Sequence, residues 1–577
     1  MTMPTTPAVR DDPAGRPRPL IRLNDFGAVT PPELGAWTPR RTVSVVVPAF
    51  RCDTLPLTLA SLAAQSYPAH LMEVVVVDDG NTPALRLPEI VPERTRIIPS
   101  RPGGWGRAWA CQTGADAAEG EVIHWLDADM VVFREQVEAQ MRWHHLADYF
   151  TVLGRLKMVA AWDAGLSPAE VHAAVSAGET DKLFAPGSPG SPGSSGDPGR
   201  REGAAEPGGN VVDTWSGEYV ERTRDLRDAG LDAFKVHVGA TASLPAALLR
   251  SAGGMDTSLV LAEDTELGYR LAQAGAVFVA DGESRSRHLG ASTVMRREQE
   301  VKRHNWVFLG NRVPVYRWLR RHPARQWEVP YVEVVVTMGD ASYEAVRATV
   351  DGFLRGSVAD IRVTVVGPWP AAPGARRSPL DDPALDLRLV RELYAHEGRV
   401  RLAGSAGRTP FPIPFRLVCP PGWVPAPDCL HRLTRLADQE GYGLVSLALA
   451  ETDGVVAARL ERTAAFSRAW LVRGEEGPGG IEDLEDVVDA TFGTLWLDGE
   501  TWGLLPMEKA DGAQGAAAGA ERWRRKALRW KRRVRRLERR LDRTPMRRLR
   551  RVLRGGLSLR RVIGGRGNRA RSESRTV

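Results

Sequence analysis

The chain has 577 residues, enough for roughly three to four domains of about 150 residues each. Hydrophobic residues make up 43% and charged residues 26%, which excludes a wholly disordered chain, and no apolar run approaches the roughly 20 residues of a bilayer span. The formal charge of +7 hides an asymmetry, because residues 521–577 hold 24 Lys and Arg against 4 Asp and Glu, whereas the preceding 520 residues hold 54 against 67. The basic balance belongs to the tail, so no nucleic acid is expected on the globular body. Cys52, Cys111, Cys419 and Cys429 show no C-x-x-C spacing. That excludes a disulfide scaffold or a thiolate zinc site and fits a reducing compartment. The opening MTMPTTPAVRDD lacks the basic-to-apolar order of a secretory leader, so the expected location is cytoplasmic.

Residues 1–40, rich in Pro and Thr, read as an irregular arm. A β-branched run at 43–47, ended by Pro48, predicts a buried strand. Residues 54–65 carry Leu55, Leu59 and Leu62 at helical spacing, and 74–77 form a second strand ending in Asp78-Asp79-Gly80. Segments 105–118, 122–126 and 133–144 read as helix, strand and helix. Alternating strands and helices predict βαβ units and a parallel sheet covered on both faces. The Gly/Pro/Ser-rich stretch 186–210 predicts a flexible surface insertion.

From 327 to 506 the rhythm restarts, with strands at 332–336 and 361–366 flanking a helix at 342–354. Val47 and Val336 are 289 positions apart, as are Val77 and Val366, and HWLDADMVVFREQVEAQM aligns with FRLVCPPGWVPAPDCLHR at a spacing near 291. This spacing predicts an internal duplication. In place of Asp78-Asp79 and Asp127-Ala128-Asp129 the second half has Gly367-Pro368 and Val418-Cys419-Pro420, so the expected copy has lost its acids. It keeps Glu485-Asp486 and Asp498-Gly499-Glu500, faintly like Glu263-Asp264 and Asp281-Gly282-Glu283.

A linker at 507–520 leads to a basic amphipathic helix and tail at 521–577, where Trp523, Trp530, Val534, Leu537 and Leu541 share one stripe and Pro545 ends the helix. Clustered Arg with Trp favours docking of 521–544 on an anionic membrane surface, at about 1 kcal/mol per basic group. Self-association as a coiled coil, giving a homo-oligomer, and a solvated or nucleic-acid-binding tail compete with it.

In an open α/β sheet, ligands bind outside the carboxyl ends of the strands, where both acidic clusters of the first half fall. Asp127 and Asp129 can reach one hard cation, Mn2+ or Mg2+, which prefers oxygen ligands and bridges to phosphates. A lone D-x-D is more often a solvated turn. Glu263 and Asp264 open a helix whose apolar face is Leu267, Leu271 and Ala274, where acids also serve as plain dipole partners. His288 follows in SRSRHLG; a lone His is more often a polar surface or core residue than a ligand.

Taken in order, these pieces resemble the family 2 glycosyltransferases. VSVVVPAF resembles the family's opening strand, QSYP with VVVVDDGN its second strand and nucleoside-binding acid, and GEVIHWLDADMVV its metal strand. VGATASLPAALLRSAGGMDTSLVLAEDTELGYRLAQAG resembles the acceptor-side loop and E-D catalytic motif. The resemblance covers about 43–312 and implies a Rossmann-like nucleotide-diphospho-sugar transferase fold (GT-A type) at 41–320, followed by a second, degenerate α/β domain at 327–506. It implies that Asp78 or Asp79 binds the nucleoside, that Pro48, Ala49 and Phe50 line the base pocket, and that Asp127 and Asp129 hold the diphosphate through Mn2+ or Mg2+. His288 matches a third ligand position of some members. Asp264 matches the general base, with Glu263 in support.

Two departures stand out. The family's A-R-N-x-G segment reads Ala110-Cys111-Gln112-Thr113-Gly114 here, with Arg107 one helical turn earlier able to reach similar space. In place of Q-x-x-R-W stands Lys302-Arg303-His304-Asn305-Trp306, which speaks against processive polymer synthesis. The expected activity is metal-dependent, inverting sugar transfer from a nucleoside-diphosphate sugar, UDP-linked in the first place, to a glycan or lipid-linked acceptor of a surface polysaccharide, wall polymer or glycolipid. It would take place at the inner face of the membrane. The competing readings are a catalytically impaired glycan- or nucleotide-binding scaffold and a nucleotidyltransferase. The latter wants a basic Gly-rich loop that PAFRCDTLP does not supply.

Overall fold

Valine-rich runs build the first sheet. Its strands are β1 (Val43–Ala49), β2 (Met72–Asp78), β3 (Thr95–Pro99), β4 (Val122–Leu126), β5 (Met130–Val132), β6 (Phe150–Val159), β7 (Val211–Asp213), β8 (Thr241–Pro245) and β9 (Val277–Leu289). They lie in the order β3-β2-β1-β4-β8-β6-β9-β5, with β7 paired to β6. β1, β2 and β4 are buried almost throughout, because helices cover both faces. Among these helices are α1 (Leu55–Ala63), α2 (Arg107–Ala117), α3 (Gln136–His144) and α4 (Glu263–Gln273). A Cβ at Gly114 of α2 would stand 2.3 Å from Val46 Cγ1, so only glycine lets α2 lie this close on β1. α2 starts two residues later than the sequence predicts, since Gly106 at φ 95° breaks the helical path.

The sheet is mixed, which corrects the expectation of a parallel one. β3, β2, β1 and β4 are parallel, as are β6 and β9, but β8 is antiparallel to both β4 and β6, and β5 is antiparallel to β9. The crossover rule governs strand–helix–strand units. β8 is reached instead by the long excursion after β6, so nothing holds it parallel.

α3 is buried on every side, and its polar residues pin β8 and β9. Gln136 donates to Thr241 Oγ1 at 2.9 Å, Gln140 to Ser284 Oγ at 2.9 Å, and Arg142 to Asp281 at 2.9 Å. The register of β9 shifts between Asp281 and Arg285.

The second sheet comprises β10 (Val332–Thr337), β11 (Ile361–Val366), β12 (Val400–Ala403), β13 (Phe415–Val418), β15 (Leu444–Glu451), β16 (Val455–Arg462) and β17 (Thr494–Asp498). A separate pair is formed by β14 (Trp423–Pro425) and β18 (Leu504–Pro506). The order β12-β11-β10-β13-β16-β15-β17 matches that of the first sheet from β3 to β9, position by position. Orientations match as well: β10 and β13 are parallel, β13 and β16 antiparallel, β15 and β17 parallel. Gly367-Pro368 follow β11 where Asp78-Asp79 close β2. Helices α5 (Thr463–Arg473) and α6 (Ile481–Thr491) lead into β17.

The described part of the arm carries a short antiparallel pair, Arg10–Asp11 with Pro17–Arg18, and is seated in the core. Ile21 and Phe26 are buried, and Asn24 bonds the carbonyls of Leu226 and Phe278 and the Phe278 N–H at 2.8–2.9 Å. One apolar cluster joins Phe26 of the arm, Val277 and Val279 of β9, and Ala465, Ala469 and Phe492 of the second half.

The computed structural model describes residues 10–511 except 12–16, 160–164, 186–210, 323, 370–377, 452–453 and 475–480. The predicted insertion 186–210, the tail 521–577 and most of the linker lie outside the described residues. The described residues up to Met507 form one compact unit. Among the described residues no helix is long and apolar enough to cross a membrane.

Candidate active site

The antiparallel entry of β8 decides which loops meet. β4 hands over at Leu126 to Asp127-Ala128-Asp129, and β8 begins directly opposite, Thr241 facing Leu126. The loop before β8 therefore lies against the acidic turn, and the Ala240 carbonyl accepts from the Asp127 N–H at 3.4 Å. From behind, Thr58 of α1 clamps the turn: its hydroxyl donates to the Ala128 carbonyl at 2.7 Å and accepts from the Met130 N–H at 3.2 Å. His288 faces Met130 in the β9–β5 pairing, which brings its ring beside Asp129.

One ligand atom from each of Asp127, Asp129 and His288 lies within 4.8 Å of the others. His288 Nε2 is 3.4 Å from Asp129 Oδ2, and Nδ1 is 3.2 Å from the Gly290 carbonyl. An imidazole donating Nδ1–H to a carbonyl keeps its Nε2 lone pair for a cation. Asp129 Oδ1 is buried without a hydrogen-bond partner, a costly state that a cation between these ligands relieves. Burial holds the Asp129 carboxyl above its ordinary range, with His288 pulling the other way. Two carboxylates and an imidazole suit a divalent cation such as Mn2+ or Mg2+.

Arg107, the first residue of α2, bridges the two acidic groups. Its Nε donates to Asp127 Oδ1 at 2.9 Å and its Nη1 to Glu263 Oε1 at 3.2 Å. A Cβ at Gly239 would stand 2.6 Å from Arg107 Nη2, so a side chain there would push the guanidinium off the two acids. The guanidinium fills space next to the acids although the A-R-N-x-G segment is absent.

Glu263 opens α4 after Ala262, which sits at φ 69°, a left-handed conformation costly for a residue with a side chain. Burial pushes the Glu263 carboxyl up to about 7; Asp264 beside it adds to the rise and Arg107 opposes it. Asp264 is half-buried. Its backbone carbonyl accepts from His237 Nδ1 at 2.8 Å and its Oδ1 from the Thr265 N–H at 2.7 Å. Strain at Ala262, the ion pair at Glu263 and the His237 bond together fix where the helix begins.

The residues expected around a nucleoside are arranged differently from one another. Asp78 is buried with both oxygens engaged, Oδ1 by Asn81 and Oδ2 by the Leu85 N–H at 2.9 Å. Burial alone would raise its pKa, but these donors outweigh it and hold the carboxyl below its ordinary range. Asp79 is half-buried, accepting from Ser100 Oγ at 2.7 Å and from the Gly106 N–H at 2.8 Å. The Ala49 side chain is packed in the core, and its carbonyl accepts from Asn81 Nδ2 at 2.9 Å. Phe50 is 52% exposed beneath the Arg51 guanidinium, and Pro48 is half-buried.

Residues 44–158, from β1 through the acidic turn to the end of β6, match the model of glycosyl transferase family 2. The chain carries a family 2 glycosyltransferase domain. Solved structures similar to the chain include the mannosyltransferase PcManGT from Pyrobaculum calidifontis in complex with GDP-Man and Mn2+. It shares 15% identity at a TM-score of 0.29, over 50% of this chain and 67% of that one. Another is S. aureus TarS 1-349 in complex with UDP-GlcNAc, at 16% identity and a TM-score of 0.29, over 47% of this chain and 67% of that one. No curated protein matches the sequence.

Around this site, sequence reasoning passed over Thr58, Asn81, His237 and Gly239. Gly239 lies within the VGATA segment read as the acceptor-side loop, but its partner Arg107 is distant in sequence. Thr58 and His237 act on backbone atoms and leave no pattern in the sequence.

Proposed function

We propose that this domain is a metal-dependent inverting glycosyltransferase that moves a sugar from a nucleoside-diphosphate sugar, UDP-linked in the first place, to a hydroxyl of a surface polysaccharide, wall polymer or glycolipid precursor. The observation that carries the reading is the cluster of Asp127, Asp129 and His288, with a buried unpartnered oxygen on Asp129, beside the start of the helix bearing Glu263 and Asp264. A bound divalent cation supplies charge neutralisation to the departing diphosphate.

The chain's own groups account for the rest. An acceptor hydroxyl is a weak nucleophile, so Asp264 takes its proton as the new bond forms. Glu263 and Arg107 set the charge beside it: Arg107 is shared between Glu263 and Asp127, which ties the base helix to the metal turn. Phe50 is the exposed member of the nucleoside side, with Pro48 and Asp79 half-buried. One base and one displacement invert the anomeric carbon.

In this reading the acceptor lies at the inner membrane surface. Supporting this, Trp306, Val307 and Trp318 are exposed beside Lys302 and Arg303, and the basic tail follows in sequence. With a labelled donor, the expected products are a nucleoside diphosphate and a glycoside of inverted anomeric configuration, read by NMR. Release of pyrophosphate would point to nucleotidyl transfer, and a retained anomer would contradict single displacement.

A further inference from the structure

The helix that carries Glu263 and Asp264 is held at two levels. Its first turn is tied within the first sheet, to Arg107 and His237. Its middle and its far end are tied to the second sheet's half of the chain. Tyr269, fully buried, donates its hydroxyl to the Pro412 carbonyl at 2.6 Å. Beyond the last turn, Arg468 of α5 donates to the carbonyls of Gly275 at 2.9 Å and Ala276 at 2.7 Å. The same guanidinium reaches the Ile21 carbonyl at 3.3 Å and the Leu23 carbonyl at 2.5 Å, so arm, catalytic helix and second half converge on one side chain.

Arg468 is an unusual choice for this joint. It is 3% exposed, and among the described residues its hydrogen-bond partners are backbone carbonyls rather than a carboxylate, with the Phe492 ring 5.1 Å away. Burying an unneutralised cation is expensive unless its donors are matched. Here Nε, Nη1 and Nη2 all have acceptors fixed in the backbone. Gly275, at φ 96°, has room for no Cβ, since one would lie 2.6 Å from the Arg468 N. The backbones of the α4 terminus and α5 therefore touch.

We propose that the second sheet is the mount of the catalytic helix, with Tyr269 and Arg468 as positioning residues that set where Asp264 stands. This rests on the reading of Asp264 as the base. The second half lacks acids where the first has Asp78, Asp79, Asp127 and Asp129, so it has no metal turn of its own to serve. α4 has 11 residues and so spans about 16 Å at 1.5 Å per residue. A tilt of about 4° about its far end moves the first turn by about 1 Å, a displacement that can cost on the order of 100-fold in rate.

Deleting the second half would expose the shared core. Point variants of the full chain avoid this. Tyr269→Phe removes one hydroxyl, and Tyr394→Phe is the matched control, losing a buried bond to Asp351 of 2.9 Å remote from α4. Arg468→Lys keeps the charge and loses the fork. Tyr269→Phe is expected to lower kcat by roughly 10-fold and speed amide exchange across 263–273, with Mn2+-dependent nucleotide binding unchanged; Arg468→Lys does the same or more. Tyr394→Phe changes kcat by less than about twofold.

Wild-type kcat and wild-type exchange in a folded Tyr269→Phe would overturn the proposal, as would equal losses in Tyr269→Phe and Tyr394→Phe. Retained turnover in Asp264→Asn would overturn the base assignment alone. The exchange measurement then still decides whether the second sheet holds the helix.

Discussion

Asp264→Asn is expected to lower kcat by roughly 100-fold or more while leaving the fold and nucleotide binding intact. The amide is nearly the same shape and keeps an oxygen to accept from the Thr265 N–H. The His237 bond goes to the backbone carbonyl and is untouched. What the amide loses is the capacity to take a proton from an acceptor hydroxyl. A residue serving only the helix dipole would lose a few tenths of a kcal/mol in stability and almost nothing in turnover. Steady-state kinetics on a matched pair of preparations separates the two roles.

Asp129→Ala is expected to abolish measurable turnover and, in the metal-free protein, to leave stability unchanged or raise it. The wild-type carboxyl carries a buried oxygen with no partner and is held above its ordinary range by burial. A carboxyl raised in the folded state stabilises the fold while it is protonated, and that contribution is lost as pH rises through the folded value. Glu263, pushed up to about 7, acts in the same sense. Between about pH 4, the unfolded-state aspartate range, and pH 8 the metal-free wild type should therefore lose more stability than Asp129→Ala does, since Glu263 contributes alike to both. Urea unfolding at the two pH values measures this. Mn2+ should raise the midpoint of the wild type and not that of the variant. A strongly destabilised Asp129→Ala protein without added metal would assign Asp129 a structural role.

The parts legible in sequence were those with local causes. β1 and β2 are rich in Val because both faces are covered, so their positions followed from composition. The acidic turn follows directly on β4, and the 289-residue spacing foretold where β10 and β11 begin. β9 was not legible. Its run VFVADGESRSRHL alternates poorly because the register shifts between Asp281 and Arg285, and Asp281 and Ser284 are buried against α3. The direction of β8 was also hidden, since no local feature records which way a strand returns from a long excursion. With β8 unplaced, Gly239 could not be set against Arg107. The seating of the arm and the Arg468 joint were equally out of reach, because each depends on backbone carbonyls supplied by distant segments.

The central claim is that Asp127, Asp129 and His288 hold the cation that binds the donor's diphosphate. Its most direct test is a calorimetric titration of UDP, then GDP and CDP, into wild type and Asp129→Ala, with and without Mn2+. Binding of one nucleotide that requires Mn2+ and disappears in Asp129→Ala is the predicted result. Binding that is indifferent to Mn2+ and survives in Asp129→Ala would contradict it, and so would the absence of binding by all three nucleotides in the presence of metal.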